Sequence, residues 1–266
     1  MPTAANRYTE YTPCAPLRPY VECFWSWLSA SPVPDTSFLC VLPDGCMDIV
    51  FNFGEPWAGS SPSGELANFD KSYVVGAMTR PLLVGLGNRA EFLGVRFRPG
   101  KAPAFLRLSA DELTDRSTAL DNLWGRTGKT LEARLAELPN LQRKIAELEQ
   151  ELLRRLALDG KQDPRVEAAV AFILRQRGTP SVQAVCAHAG ISRQHLARQF
   201  AHYVGISPKL FCRVVRFQNI VERLRGSGPV GWSATALELG FYDQAHMISD
   251  FKELAGLSPG QYRLSR

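Results

Sequence analysis

The chain has 266 residues, a length that fits one or two domains. With 45% hydrophobic and 21% charged residues, its composition excludes a wholly disordered chain and a collagen-like fibre. The formal net charge of +5 is unevenly placed, since residues 1–160 carry 17 basic and 19 acidic side chains and residues 161–266 carry 14 and 7. A basic excess confined to the last part of the chain suits a module that binds a polyanion, although a merely basic surface gives the same count.

The N-terminal residues, MPTAANRYTEYTP, lack the basic start and apolar stretch of a secretory signal, and no long apolar run follows. We therefore expect a cytoplasmic protein. Its six cysteines form no Cys-x-x-Cys pair, and in a reducing compartment such residues are usually buried small hydrophobic side chains. All four histidines lie beyond residue 187, so the first half cannot assemble a histidine-rich metal site. We expect neither a metal nor another cofactor.

Short apolar runs separated by turn residues fill roughly the first 100 residues. They are FLCVLP before DG, CMDIVFNF before GEP, SYVVGAM before TRP, and EFLGVRF before RPG. This alternation of short apolar runs and turn residues predicts an antiparallel sandwich or small barrel rather than a parallel sheet. Residues 55–69 are rich in Gly, Ser and Pro, which predicts an exposed loop.

Four charged residues of this β region are candidates for an effector pocket. Asp44 and Asp48 should share one strand face, and Arg96 and Arg98 should share another. Acids and arginines on inner barrel faces can bind a polar ligand, or they can pair with each other and serve only the structure. Both interpretations stay open at this point.

An amphipathic helical segment follows the β region. Its apolar stripe has steps of three and four residues and consists of Leu138, Leu141, Ile145, Leu148 and Leu152. Pro139 should lie in the first turn of the second of two helices. The stripe can pack against its own β region or pair with a second copy in a homodimer, and the heptad run is too short for an independent coiled coil.

Residues 186–208 and 236–259 repeat one another. CAHAGISRQHLARQFAHYVGISP aligns with ALELGFYDQAHMISDFKELAGLSP, so that glycines, histidines, phenylalanines and the Gly-x-Ser-Pro ends coincide. In each copy a glycine precedes a polar helix-capping residue, Ser192 or Asp243, which predicts two helix-turn-helix units. The solvent face of the second helix of the first unit carries Gln194, Ala197 and Arg198, side chains that suit a major groove.

The C-terminal residues 163–263, above all ALELGFYDQAHMISDFKELAGLSPGQYR, resemble the DNA-binding domain of the AraC/XylS family of transcription regulators. The resemblance implies two helix-turn-helix units joined by a long helix, here over residues 208–224. It also implies that each recognition helix enters one of two successive major grooves on the same face of the DNA.

Carried over by position, the resemblance implies a set of base-reading residues in each unit. They are Gln194, Ala197 and Arg198 in the first unit and Gln244, Ala245, Ile248 and Ser249 in the second. Many members have Arg in place of Ser249, and the following Asp250 carries a charge that is unfavourable near phosphates. We therefore expect the first unit to supply most base discrimination and the second mainly to position the protein. The candidate phosphate contacts, two or more of which could be only solvated surface, are Arg193, Lys209, Arg213, Arg216, Lys252 and Arg263.

Residues 8–130 resemble, less specifically, the cupin-type β domain found at the front of one subgroup of the same family. The resemblance rests on LRPYVECFWSW, LPDGCMDIVFNFG, VGAMTRP, GVRFRPG, ELTDR and LWG. We thus expect an α+β chain with a cupin-like antiparallel β barrel or sandwich over residues 1–130. Amphipathic helices should occupy residues 131–160, and an all-α DNA-binding domain residues 161–266.

The expected function is that of a DNA-binding transcription regulator, not an enzyme, whose N-terminal domain senses a small-molecule effector or mediates dimerisation. Duplex DNA is the expected partner, RNA polymerase is a further candidate, and no membrane contact is expected. A ligand-free structural N-terminal domain is one alternative. A DNA-alkylation response protein is another, but the TPCAPLR segment at Cys14 lacks the His and adjacent Arg of a methyl-accepting cysteine motif.

Overall fold

The computed structural model describes residues 7–29, 38–55, 58–60, 66–68, 70–85, 90–159, 163–226 and 231–264. Within these ranges the first half of the chain is built from β-strands. They are β1 Arg7–Tyr11, β2 Val21–Leu28, β3 Phe38–Val41, β4 Met47–Asn52, β5 Ala58–Ser60, β6 Leu66–Asn68, β7 Ser72–Val75, β8 Leu82–Gly85, β9 Glu91–Phe97 and β10 Ser117–Ala119.

The strands form two antiparallel sheets, as the turn-punctuated sequence predicts. One sheet has the order β1-β2-β9-β4-β7-β10, and the other has the order β3-β8-β5-β6. The expected loop over residues 55–69 is partly wrong, because β5 and β6 pair with each other inside it. The other residues of that segment, apart from residue 55, lie outside the described part of the chain.

Alternation along the strands gives the six-stranded sheet two different apolar faces. Ile49 and Phe51 of β4 face a core that includes helical residues such as Leu148. Val50, between them, faces a second core that includes Val84 of the other sheet. Because successive side chains point to opposite faces of a strand, one short segment supplies both cores. The β region is therefore a two-sheet sandwich with helices on its outer face.

Four helices follow or interrupt the last strands: α1 Pro103–Leu106, α2 Leu120–Trp124, α3 Arg126–Glu137 and α4 Leu141–Asp159. The predicted apolar stripe belongs to the core beneath the sheet, with Leu148 and Leu152 at most 1% exposed. Of the two interpretations, packing within the chain is the one observed, and a homodimer would need another surface. The expectation for Pro139 is wrong, since α4 begins at Leu141 and Pro139 lies in the break after α3.

The C-terminal part is helical. Its helices are α5 Pro164–Arg175, α6 Val182–Ala189, α7 Arg193–Val204, α8 Pro208–Arg225, α9 Trp232–Glu238, α10 Gln244–Ala255 and α11 Pro259–Leu264. No strand occurs in the described residues beyond 163, and α8 matches the long connecting helix that the family resemblance implies. The α+β fold class is thus confirmed. One apolar core joins these helices, with Phe200, Phe211 and Phe251 fully buried.

Loops of the β region contact the helical part directly. Thr114 Oγ1 donates to the carbonyl oxygen of Gly205, at the end of α7. Gln218 Nε2 of α8 donates to the carbonyl oxygen of Pro43 at 2.5 Å. Gly45 has a φ of +78°, and a Cβ there would lie 2.7 Å from a ring carbon of Phe211, so only glycine allows this close approach. The two parts of the chain therefore share a packed interface.

Candidate nucleic-acid interface

The two helix-turn-helix units are built by the same local chemistry. Ser192 caps α7 by accepting a hydrogen bond from the His195 amide at 3.2 Å, and Asp243 caps α10 by accepting one from the His246 amide at 2.7 Å. Both caps confirm the sequence prediction. A side-chain oxygen at this position satisfies an amide that has no partner within the helix, so it fixes where the helix begins.

Each recognition helix buries one face and leaves the other toward solvent. On α7 the buried residues are Leu196, Phe200 and Val204, and on α10 they include Met247, Phe251 and Leu254. The turn glycine before each cap, Gly190 or Gly240, has a positive φ, which turns the chain sharply between the paired helices. The two outer faces therefore differ only in the side chains they display.

The base-reading candidates of the first unit all lie on the outer face of α7. Gln194, Ala197 and Arg198 are exposed. In the second unit Ala245 and Ser249 are exposed, whereas Gln244 and Ile248 are half-buried. The Gln244 side chain also accepts a hydrogen bond from the Ser233 hydroxyl of α9 at 3.2 Å. The first unit thus displays the larger set of exposed polar candidates, and their contact with bases stays a prediction.

Arg198 is supported by two further residues that the sequence reading did not include. A terminal guanidinium nitrogen of Arg198 lies 3.1 Å from His195 Nδ1, one turn earlier on α7. His195 Nε2 lies 3.8 Å from Asp163 Oδ2. Hydrogen bonds from Arg165 lower the pKa of Asp163 to about 2, so this carboxylate is charged at neutral pH. The arrangement can hold Arg198 in one orientation at the helix surface.

The equivalent histidine of the second unit has a different role. His246 Nδ1 lies 3.5 Å from the amide nitrogen of Tyr242, before the start of α10. Three residues after His246 the chain has Ser249 instead of an arginine. Tyr242 itself is 90% exposed. The two histidines occupy the same place in the repeat, but one contacts a candidate base-reading side chain and the other contacts main chain.

The six candidate phosphate contacts fall into two groups. Arg193, Lys209, Lys252 and Arg263 are exposed, as a phosphate contact requires. Arg213 and Arg216 on α8 are half-buried instead. Their guanidinium groups are already used for internal ion pairs, so a role for these two at the DNA would require them to be shared.

Those ion pairs join α8 to α10 through two carboxylates, of which Asp250 contacts both arginines. Asp250 lies 2.9 Å from Arg213 and 3.6 Å from Arg216, and Arg213 also contacts Glu253 at 2.6 Å. The Asp250 side chain is only 13% exposed. Its charge is therefore neutralised inside the domain, which corrects the expectation that it lies unfavourably near phosphates. The two units therefore differ in two respects. The second has Ser249 at the position of Arg198, and its Asp250 is paired with arginines of α8.

Three of the four candidate effector-pocket residues meet in a charged cluster on the sandwich interior. Asp48 and Arg96 stand directly opposite on β4 and β9, and Arg96 lies 3.3 Å from Asp48 and 3.5 Å from Asp44. Trp25 Nε1 donates to Asp48 at 2.7 Å, and burial raises the pKa of Asp48 to about 6. Arg98 instead donates to a main-chain carbonyl oxygen before β2. The observed pairing is the structural alternative, and an effector at this cluster stays a prediction.

Five of the cysteines have a pKa that is raised, which makes their thiols less nucleophilic. All six are free, and burial raises the pKa of five of them: Cys14, Cys23, Cys40, Cys46 and Cys212. A methyl-accepting cysteine needs the opposite shift, because the thiolate is the nucleophile. Cys14 in particular has Glu149 as a neighbour, which raises its pKa further. The alkylation-response alternative therefore has no support here.

Within the described ranges, no three His, Cys, Asp or Glu side chains are grouped so that they could hold a metal ion. None of the described helices is both long and apolar enough to span a bilayer.

Two family models match the chain. Residues 9–119 match a domain of unknown function, DUF6597, and residues 185–265 match a helix-turn-helix domain. An uncharacterized HTH-type transcriptional regulator of Haemophilus influenzae is 34% identical over 119 residues, which cover 44% of this chain and 40% of that protein. A Streptomyces antibioticus protein named as an AraC-like transcription regulator is 32% identical over 108 residues, 40% of this chain and 35% of that protein. The chain thus spans less than half the length of these relatives.

The solved structure of ToxT from Vibrio cholerae O395 extends the comparison beyond the helix-turn-helix region. It covers 91% of this chain and 98% of its own, with a TM-score of 0.51 and 9% sequence identity. At this identity the likeness concerns the fold alone. It shows that a β region followed by two helix-turn-helix units in this arrangement is a fold already observed in a solved structure.

Proposed function

We propose that this chain, which belongs to the AraC/XylS family of transcription regulators, binds duplex DNA through the exposed faces of α7 and α10 and regulates transcription. One observation carries the proposal. The exposed face of α7 presents Gln194, Ala197 and Arg198, with Arg198 supported from behind by His195. Arg can bind guanine through O6 and N7, Gln can bind adenine, and a small Ala lets the helix approach the groove closely.

The domain assignment is part of the proposal. Residues 1–130 would form a cupin-like regulatory domain, residues 131–160 its helical extension, and residues 161–266 the DNA-binding domain. The exposed cations Arg193, Lys209, Lys252 and Arg263 would contact phosphates and set the position of the protein on the duplex. Such a regulator would act in the cytoplasm, as a monomer or as a homodimer, and could contact RNA polymerase at the promoters it binds.

Selection from a random duplex library tests this function. The 266-residue chain is expected to enrich a sequence for which its affinity falls steeply with salt, because phosphate contacts release counterions. Removal of one contacting cation, such as Lys252→Ala, should reduce the slope of log affinity against log salt by about one. Failure to enrich any sequence, with binding equal to that for bulk DNA, would contradict sequence-specific recognition.

The N-terminal domain has two candidate roles, sensing an effector and serving only as a structural or dimerisation unit. A measurement of operator affinity with and without candidate small molecules separates them. Light scattering at micromolar concentration, with and without operator DNA, tests the homodimer independently. A monomer under both conditions would remove dimerisation from the proposal.

A further inference from the structure

A cavity of about 580 Å³ lies between the outer face of the six-stranded sheet and helices α3 and α4. We refer to it as the helix–sheet cavity. Its wall includes Ser26, Asn52, Phe53, Glu91, Glu132 and Lys144. Its volume is within the range of small-molecule sites, which is about 300–1,000 Å³. It lies on the opposite face of the sheet from the Asp48–Arg96 cluster, because Leu93 lines it while Arg96 faces the sandwich interior.

Lys144 is the unusual group in this wall. It lies in the first turn of α4, and the residue is only 8% exposed. Its Nζ is 3.5 Å from the centre of the Phe53 ring and 3.8 Å from Glu91 Oε1. Burial lowers the pKa of Lys144, and a cation near the start of a helix is also opposed by the helix dipole. The chain thus keeps a positive charge where both its burial and its helix disfavour one.

The other polar groups nearby are better satisfied. Asn52 donates to the carbonyl oxygen of Glu55 and accepts from the amide of Gly54, each at 2.9 Å. Glu132 accepts a hydrogen bond from the hydroxyl of Ser72. An ammonium group has three donors, and Glu91 is the sole carboxylate found within ion-pair distance of Lys144 among the described residues. Lys144 therefore has donors to spare at the cavity wall.

We propose that the helix–sheet cavity binds a small organic acid, with its carboxylate on Lys144 and its apolar body against Phe53 and neighbouring apolar residues. A ligand carboxylate would accept a hydrogen bond from Lys144 and place a negative charge beside it. Glu91 lies 3.8 Å from the ammonium group and supplies that charge only at longer range. Phe53 already stacks its ring beneath the ammonium group, so the apolar and charged parts of the ligand would be recognised side by side. The acid would be the effector of the regulator, and that role alone rests on the proposed function.

Matched acids and neutral amides test the binding site directly. The probes are benzoate, phenylacetate and octanoate, each with its amide, and the readouts are thermal shift and calorimetry on the full chain. At least one acid is expected to stabilise the wild type while its amide does not. Lys144→Met should weaken that acid about tenfold or more, because it removes a charge-assisted hydrogen bond. Glu91→Gln should tighten the same acid, because it replaces a competing carboxylate by a neutral amide and so removes a like charge.

Lys129→Met is the matched control, since the Lys129 side chain is 76% exposed on α3 and pairs with Asp121 at the surface. It should bind the acid like the wild type. The proposal is overturned if no acid binds, if acid and amide bind equally, or if Lys144→Met and Glu91→Gln both match the control. Should Lys144→Met fail to fold, the Glu91→Gln arm and the acid–amide comparison still decide.

Operator binding, measured on the same samples, separates this inference from the proposed function. Acid binding by a protein that selects no DNA sequence would support the acid-binding site and contradict its regulatory role. Sequence-specific DNA binding by a protein that binds none of the acids would support the proposed function and contradict the acid-binding site.

Discussion

The two helix-turn-helix units share a scaffold and differ in how they use its outer face. In the first unit Arg198 is exposed and lies within hydrogen-bond distance of His195. In the second unit the equivalent position is Ser249, and the next residue, Asp250, pairs with Arg213 of the connecting helix α8. The first unit thus displays the base-reading candidates on an exposed helix face, whereas the second unit is anchored to the connecting helix. The same backbone supports both arrangements. The capping and buried residues determine where each helix begins and how it packs, and the exposed residues determine what it can contact.

The largest expected effect concerns the anchoring of the second unit. Asp250→Ala should lower the free energy of unfolding by about 2–4 kcal/mol, because it leaves the half-buried Arg213 and Arg216 without their shared carboxylate. Gln199→Ala, the equivalent change in α7, is the control and should cost far less. Urea unfolding followed by circular dichroism measures both. Equal losses would show that the two helices are anchored alike.

The reading role of the first unit predicts the next largest effect. Arg198→Ala should relax preference at one or two base pairs of the selected operator and cost about 1–3 kcal/mol of discrimination. Its affinity for unrelated DNA should change much less, because the phosphate contacts remain. Fluorescence anisotropy with the selected and altered operators gives both quantities. A uniform loss on every sequence would make Arg198 a phosphate contact instead.

The support beneath Arg198 predicts a smaller effect. His195→Ala should reduce discrimination at the same base pairs by about 0.5–1.5 kcal/mol, because it removes the hydrogen-bond partner that orients the guanidinium group. His195→Gln retains an acceptor and should recover part of the loss. His246→Ala is the matched control, since the His246 ring lies beside main chain, and it should leave discrimination unchanged. Equal losses of discrimination from His195→Ala and His246→Ala would contradict a specific role of His195 in orienting Arg198.

The smallest effect is expected at the position equivalent to Arg198. Ser249→Ala should alter both affinity and sequence preference by less than about 0.5 kcal/mol, the usual range for an exposed substitution without a specific contact. The same anisotropy series measures it. A loss comparable to that of Arg198→Ala would mean that the second unit reads bases through Ser249.

Local features of this chain could be predicted from sequence, and distant pairings could not. Ser192 and Asp243 were identifiable as helix caps because a cap depends on residues three positions away. Asp250 was misjudged because helical spacing gives the face of a side chain but not its partner, and Arg213 is 37 residues earlier. The helix–sheet cavity was not visible for the same reason. Its key contact joins Lys144 of α4 to Phe53, which follows β4, and no periodicity connects them.

The position of Asp163 has a consequence for modularity. This residue caps α5, the first helix of the DNA-binding part, through the amide of Arg165, and it also lies beside His195. The entry point of the chain into the domain is therefore next to the residue that supports Arg198. A chimaera that joins these helices to a foreign sensor would preserve the native recognition surface only if the junction precedes Asp163. A junction after it would retain the helices but remove the cap of α5 and the carboxylate beside His195.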